Sequence, residues 1–179
     1  MIRFVRLDQS HLELVLRWRT DEFVTRYMYT DVENDLTKQY EWFDKIKHSR
    51  TDKYWMVILR DVPVGVISLN GIDLANRKTS WGYYIGDERH RMYGGLVPPY
   101  LYNFIFHNMG LNKITAEVMQ GNENLLKLHR MHGYRDVGLF KNHILKYDNY
   151  YDVYILELLK ADWDLKADKY KKYLASFEL

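Results

Sequence analysis

Apolar and polar residues alternate over 2–7, so the chain opens on a strand. The period then lengthens. Ser10 can cap a helix running to Arg19, whose apolar positions Leu12, Val15, Leu16 and Trp18 gather on one side. Residues 22–35 are irregular and rich in aromatic and charged side chains. A second helix is predicted over 36–48, with Tyr40, Phe43 and Lys47 at helical spacing. At 54–59 the pattern becomes β-branched and aromatic, and Asp61-Val62-Pro63 marks a turn. Strands at 64–69 and 78–85 complete an antiparallel meander. Pro98 and Pro99 fit only the first turn of the next helix, over 99–109, which Gly110 ends. A strand at 113–119 and a helix at 122–132, stopped by Gly133, follow. Two last strands are predicted at 134–139 and 151–159.

This order places seven strands around four helices. A meander that flows into β-α-β-α-β requires a mixed sheet, so the expected fold is α/β with helices on both faces. Residues 1–160 form one domain in this reading. Residues 161–179 form a helical extension, because Trp163, Ala167, Tyr170 and Leu174 are spaced for a helix.

Composition narrows the function. Hydrophobic residues make up 47% of the 179 and charged residues 28%, the balance of a globular domain. The net charge of +2 is too small for bulk nucleic-acid binding. The absence of cysteine excludes disulfides, thiolate metal sites and a cysteine nucleophile, and suits a reducing compartment. No signal-peptide core and no apolar run of membrane-spanning length occur, so the expected location is the cytoplasm, with no membrane partner. Sixteen tyrosines suit a cleft for flat or sugar-like groups, and equally a Tyr-rich core. His129 and His132 lie three apart, but no further ligands accompany them, so no metal is expected.

Residues 91–96, Arg-Met-Tyr-Gly-Gly-Leu, sit between a strand and a helix. A glycine pair there can be a plain turn. It can also let backbone N–H groups and a helix N-terminus meet an anion. With this run, the chain resembles the GNAT acyl-CoA N-acyltransferase superfamily. That family places Gln/Arg-x-x-Gly-x-Gly/Ala after its fourth strand, gripping the pyrophosphate of coenzyme A. Arg91 to Gly95 match, and Leu96 departs from the small last residue. The family's second motif, Asn-x-x-Ala/Ser-x-x-x-Tyr-x-x-x-Gly-Phe, is matched in spacing by Asn122, Leu125, His129, Gly133 and Tyr134. Leu125 replaces the small residue and His129 the tyrosine.

The resemblance implies an enzyme that moves acetyl from acetyl-CoA to an amine. Cofactor contacts would come from Arg91, Met92, Tyr93, Gly94, Gly95, Leu96 and Asn122. A backbone N–H near Tyr84 or Ile85 would face the thioester oxygen. Glu117 would take the amine proton, with Asp73 as the alternative base. His129 would protonate the departing sulfur, as an imidazolium near its reference pKa of about 6.5 can at neutral pH.

The aromatic and basic runs Arg17-Trp18-Arg19, Tyr27-Met28-Tyr29 and Trp81-Gly82-Tyr83-Tyr84 look like the nucleotide-sugar branch of the family. The resemblance then implies the 4-amino group of a UDP-linked amino-deoxy sugar, on the route to pseudaminic acid, as acceptor. Arg19 would meet a nucleotide phosphate, and Tyr29, Gln39, Asn70 and Trp81 would line the sugar or uracil pocket. Acetylation of a protein N-terminus (ribosomal proteins included) or of a polyamine is the alternative. A non-catalytic acyl-CoA sensor is the second. A homodimer fits either enzyme.

Overall fold

The computed structural model describes residues 2–178. Its seven strands are β1 (Ile2–Arg6), β2 (Lys53–Leu59), β3 (Val62–Asp73), β4 (Lys78–Ile85), β5 (Lys113–Met119), β6 (Arg135–Lys146) and β7 (Asn149–Leu159). They form one sheet in the order β1-β2-β3-β4-β5-β7-β6. Every pairing is antiparallel except β4 with β5. The mixed seven-stranded sheet expected from the alternation is therefore present.

Both faces are covered. In β2, Trp55 and Val57 join one core while Met56 and Ile58 join the other, as successive residues on a strand must. Helices α1 (Leu12–Arg19) and α3 (Leu36–Lys47) close one face through Leu12, Val15, Trp18 and Phe43. The other face meets α4 (Pro98–Asn103), the π-helical turn Phe104–Asn108 and α5 (Glu123–His132). The π turn continues α4, and the prolines open it at its first positions, as expected. Gly133 ends α5 in the left-handed conformation, φ 104°, where a Cβ would be strained.

Four differences from the sequence reading are physical. Residues 22–35 contain a short helix, α2 (Glu22–Thr25), capped by Asp21. Residues 88–96 coil into a 3₁₀ helix, Glu88–Leu96, rather than an open loop. Strand β6 continues to Lys146 and turns at Tyr147 and Asp148, both at positive φ, to make a long hairpin. The tail is not one helix. It folds as α6 (Lys160–Asp164) and α7 (Ala167–Tyr170), and its end lies extended along β1. Trp163, Tyr170 and Phe177 are buried in the main core, whereas Ala167 and Leu174 face solvent. Residues 161–178 are thus part of the domain's packing and not an extension of it.

Candidate active site

Strands β4 and β5 pair only over Lys78–Ser80 and Lys113–Thr115, although β4 runs on to Ile85 and β5 to Met119. Beyond that point they diverge. Backbone groups on the facing edges lose their strand partners, and a wedge opens between them. Buried main-chain groups must pair with something, so such a wedge is a site for an extended ligand that supplies the missing partners. The wedge lies in a cleft of about 1070 Å³, on the scale of a site for a large small molecule.

The cleft has two walls. On one, β4 contributes Trp81, Tyr84 and Ile85, α5 contributes its N-terminal residues and His129, and the 3₁₀ helix contributes Arg91, Gly94 and Gly95. Gly94 and Gly95 are not in the left-handed region. A Cβ on Gly94 would meet Ile85 Cγ1, and one on Gly95 would meet Leu128 Cδ1, each at an ordinary 3.6 Å. Neither packing nor torsion requires glycine there, so the room they leave suits close approach by a ligand. Arg91 is held ready. Its guanidinium lies 3.7 Å over the Phe23 ring, and one nitrogen is 3.5 Å from Asp21 Oδ2. Its Nε is buried without a hydrogen-bond partner. These residues fit a pyrophosphate.

Not all of the predicted loop takes part. Met92 and Leu96 are 82% and 48% exposed, and neither these nor Tyr93 line the cleft. Tyr93 packs near His90 instead. The 3₁₀ coil explains this, because only one side of it faces inward. Asn122 lines the cleft and also caps α5, accepting from the Leu125 N–H at 3.4 Å. Trp81 lines the cleft with one edge, while its Nε1 donates to the Tyr134 hydroxyl at 2.9 Å inside the core.

His129 needs a correction. It is 2% exposed, stacked on Tyr134 with ring centroids 4.7 Å apart, and 5.6 Å from Trp81. Burial, with His132 adding to it, pushes its imidazole down to about 3. At neutral pH it is uncharged, so it cannot serve as the imidazolium the sequence suggested. A neutral ring still donates one N–H.

The other wall carries the acceptor-side residues. Glu117 on β5 faces the cleft, and Tyr29 donates its hydroxyl to Glu117 Oε2 at 2.6 Å. Tyr29 is not a pocket-lining ring. Burial and the adjacent carboxylate push its hydroxyl pKa up, so it stays a donor to Glu117. Asp73 is ruled out as the base: it lies outside the cleft, where both oxygens accept from Asn76 at 2.8 and 2.7 Å. Arg19, Gln39 and Asn70 do line the cleft. Arg19 donates to the Thr30 carbonyl at 3.2 Å and has no carboxylate within 4 Å among the described residues. Asn70 donates to Ser68.

The sequence reading missed three groups that shape this wall. Tyr27 donates to the Gly121 carbonyl at 3.0 Å, Phe23 supports Arg91, and Trp42 and Tyr54 stand edge to face in the same cleft lining as Arg19. The resemblance to the nucleotide-sugar branch included the run at Tyr27 but gave it no role, and only the aromatic density of 22–54 signalled the rest.

Comparison with known proteins agrees with this geometry. The family described as Acetyltransferase (GNAT) domain matches residues 2–135. The chain is 23% identical over 159 residues to Acetyltransferase PseH of Campylobacter jejuni subsp. jejuni serotype O:23/36 (strain 81-176), covering 89% of this chain and 92% of that protein. It is 21% identical over 164 residues to the Uncharacterized N-acetyltransferase p20 of Bacillus licheniformis, covering 88% and 92%. Its fold is similar to that of the spermidine N-acetyltransferase from Vibrio cholerae in complex with CoA and spermine, with a TM-score of 0.84 at 16% identity over 90% of this chain and 97% of that one. A wedge between β4 and β5, an arginine and two glycines at its mouth, and a family match over most of the sequence have one reading: the chain belongs to the GNAT family of acetyltransferases, enzymes that draw their acetyl group from acetyl-CoA.

Proposed function

We propose that this enzyme acetylates a primary amine on a nucleotide sugar, the 4-amino group of a UDP-linked amino-deoxy sugar. The observation that carries this reading is Arg19. It is a cleft guanidinium without a carboxylate partner among the described residues, and the rings of Trp42, Tyr54 and Tyr84 line the same cleft. A phosphate and a flat base are the groups such a surface takes. The similarity to Acetyltransferase PseH supports the same class.

Acetyl-CoA supplies an activated acyl carbon and a thiolate leaving group. The chain's own residues do the rest. Glu117 accepts the amine proton as the nitrogen attacks, and Tyr29 fixes which carboxylate oxygen points to the amine. Backbone N–H groups on the free edge of β4, near Tyr84 and Ile85, face the carbonyl oxygen. His129, neutral, offers an N–H hydrogen bond to the sulfur as the C–S bond breaks.

A polyamine is the second reading, because Glu33, Asp35, Glu117 and Glu123 also line the cleft. Two of these are already engaged. Glu33 pairs with Lys38 at 2.6 Å, and Asp35 caps α3 through the Thr37 and Lys38 N–H groups. The test is to follow free thiol from acetyl-CoA with UDP-4-amino-4,6-dideoxy-N-acetyl-β-L-altrosamine, spermidine, spermine and a short peptide. Release with the nucleotide sugar is expected. An Arg19→Ala variant raises KM for that sugar about tenfold, the value of a charged hydrogen bond, and leaves acetyl-CoA affinity unchanged. Release with spermidine and not with the sugar overturns the reading, as does acetyl-CoA binding with no release on any acceptor.

A further inference from the structure

Lys146 closes β6, the outermost strand, yet it is the only buried lysine among the described residues. Its side chain is 4% exposed. All three ammonium hydrogens have acceptors: the Thr25 carbonyl at 2.7 Å, the Met28 carbonyl at 2.9 Å and Asp31 Oδ1 at 2.8 Å. The ammonium in turn holds the Asp31 carboxyl below the usual carboxylate range. A packed apolar side chain would fill this space without the cost of desolvating a cation. What the ammonium adds is directional: three fixed bonds to one short segment.

That segment is 25–31, and it brackets Tyr29. The segment is tied again by Arg19 at the Thr30 carbonyl and by Tyr27, which reaches the Gly121 carbonyl. Tyr29, inside this tied segment, donates its hydroxyl to Glu117 Oε2. We propose that Lys146 is a positioning residue for acetyl transfer: it anchors segment 25–31 so that Tyr29 holds the Glu117 carboxylate at the amine. This rests on reading Glu117 as the proton acceptor. It adds that the tip of the β6–β7 hairpin, which lines no part of the cleft, sets the geometry of the base.

Three variants test it. In Lys146→Met, amide hydrogen exchange over 25–31 speeds at least about tenfold while that of Glu88–Leu96 is unchanged, the mark of a local opening. With UDP-4-amino-4,6-dideoxy-N-acetyl-β-L-altrosamine as acceptor, kcat falls about tenfold, no more than the loss of the Tyr29 hydroxyl itself costs, and the Kd for acetyl-CoA stays within about twofold. Lys146→Arg, which keeps the cation, recovers most of the loss. Tyr29→Phe alone lowers kcat about tenfold, yet adds less than about twofold in the Lys146→Met background, because both act through one path. Unchanged exchange over 25–31 overturns the inference whatever acceptor is used. So does a parallel loss of acetyl-CoA affinity, or multiplication of the two single effects. Full turnover by Glu117→Gln sinks the base assignment beneath it. An inactive Glu117→Gln beside a Lys146→Met with normal kcat sinks the inference alone.

Discussion

The two walls of the cleft are held by different forces. The donor wall is main chain and regular structure: the diverging edges of β4 and β5, the capped start of α5 and the 3₁₀ coil at its mouth. The acceptor wall adds to its strands and helices an irregular segment, 26–31, that is held by side chains from far away. Tyr29 reaches Glu117 across 88 residues, Tyr27 reaches Gly121 across 94 and Lys146 reaches Thr25 across 121. A wall made of strands and helix ends tolerates side-chain change. A wall hung on single hydrogen bonds is retuned by single substitutions. The donor chemistry can therefore stay fixed across a family while acceptors differ.

The contrast can be broken at its strongest point first. Glu117→Gln is expected to lower turnover by about 10²–10⁴-fold, the range for losing a general base, with acetyl-CoA affinity retained. A matching loss of affinity would mean the walls are not separable. The second test is acid. Burial holds His129 at about 3 and His132 at about 4, while the unfolded chain titrates near 6.5. Below about pH 6.5 the unfolded state binds more protons, so stability is complete above that value and falls as pH drops toward 4. Each histidine contributes up to about 1.4 kcal/mol per pH unit, so about 2 kcal/mol by pH 5. Denaturant unfolding at pH 7 and pH 5 measures this, and His129→Phe removes roughly half of the slope. An equal slope in that variant would contradict the burial argument. Third, Gly95→Ala should weaken coenzyme A binding about tenfold while stability stays within about 0.5 kcal/mol, because its Cβ meets protein only at 3.6 Å. A stability loss with normal binding would make this glycine structural. Smallest, Tyr27→Phe removes one tether worth about 1 kcal/mol, seen as about a fivefold rise in acceptor KM.

The same contrast explains what could be read from sequence. The first five strands and the helices between them follow from hydrophobic period, since each buries one or both faces. Strand β6 was legible only to 139, because up to Ile144 every residue from Arg135 onward is exposed and the alternation carries no inside–outside signal. The tail misled because Trp163 and Tyr170 sit seven apart, a helical interval, while each docks through a separate short helix. In the cleft, Arg91, Gly94, Gly95 and Asn122 were pointed to by the family resemblance and not by local pattern, since a glycine pair alone reads equally as a turn; all four line the cleft. The tie between Tyr29 and Glu117 was not legible, since no local pattern links residues 88 apart. The charge state of His129 was also out of reach, as it depends on Trp81 and Tyr134 closing over the ring.

The extended segment along β1 has a further consequence, for synthesis. Phe177 stacks on Phe4 at 4.1 Å, the Trp55 indole donates to the Glu178 carbonyl at 2.6 Å, and Glu178 Oε2 accepts from the Arg6 N–H across 172 residues. Closing a loop that long is slow, and nothing local rewards it in advance. On the ribosome, strands β1 to β7 are all made before residue 177 emerges. Until then the β1 edge and the side of the Trp55 ring that Phe177 covers stay open to chaperones or to another nascent chain. Folding yield, more than final stability, is where a substitution at Phe177 will first be felt.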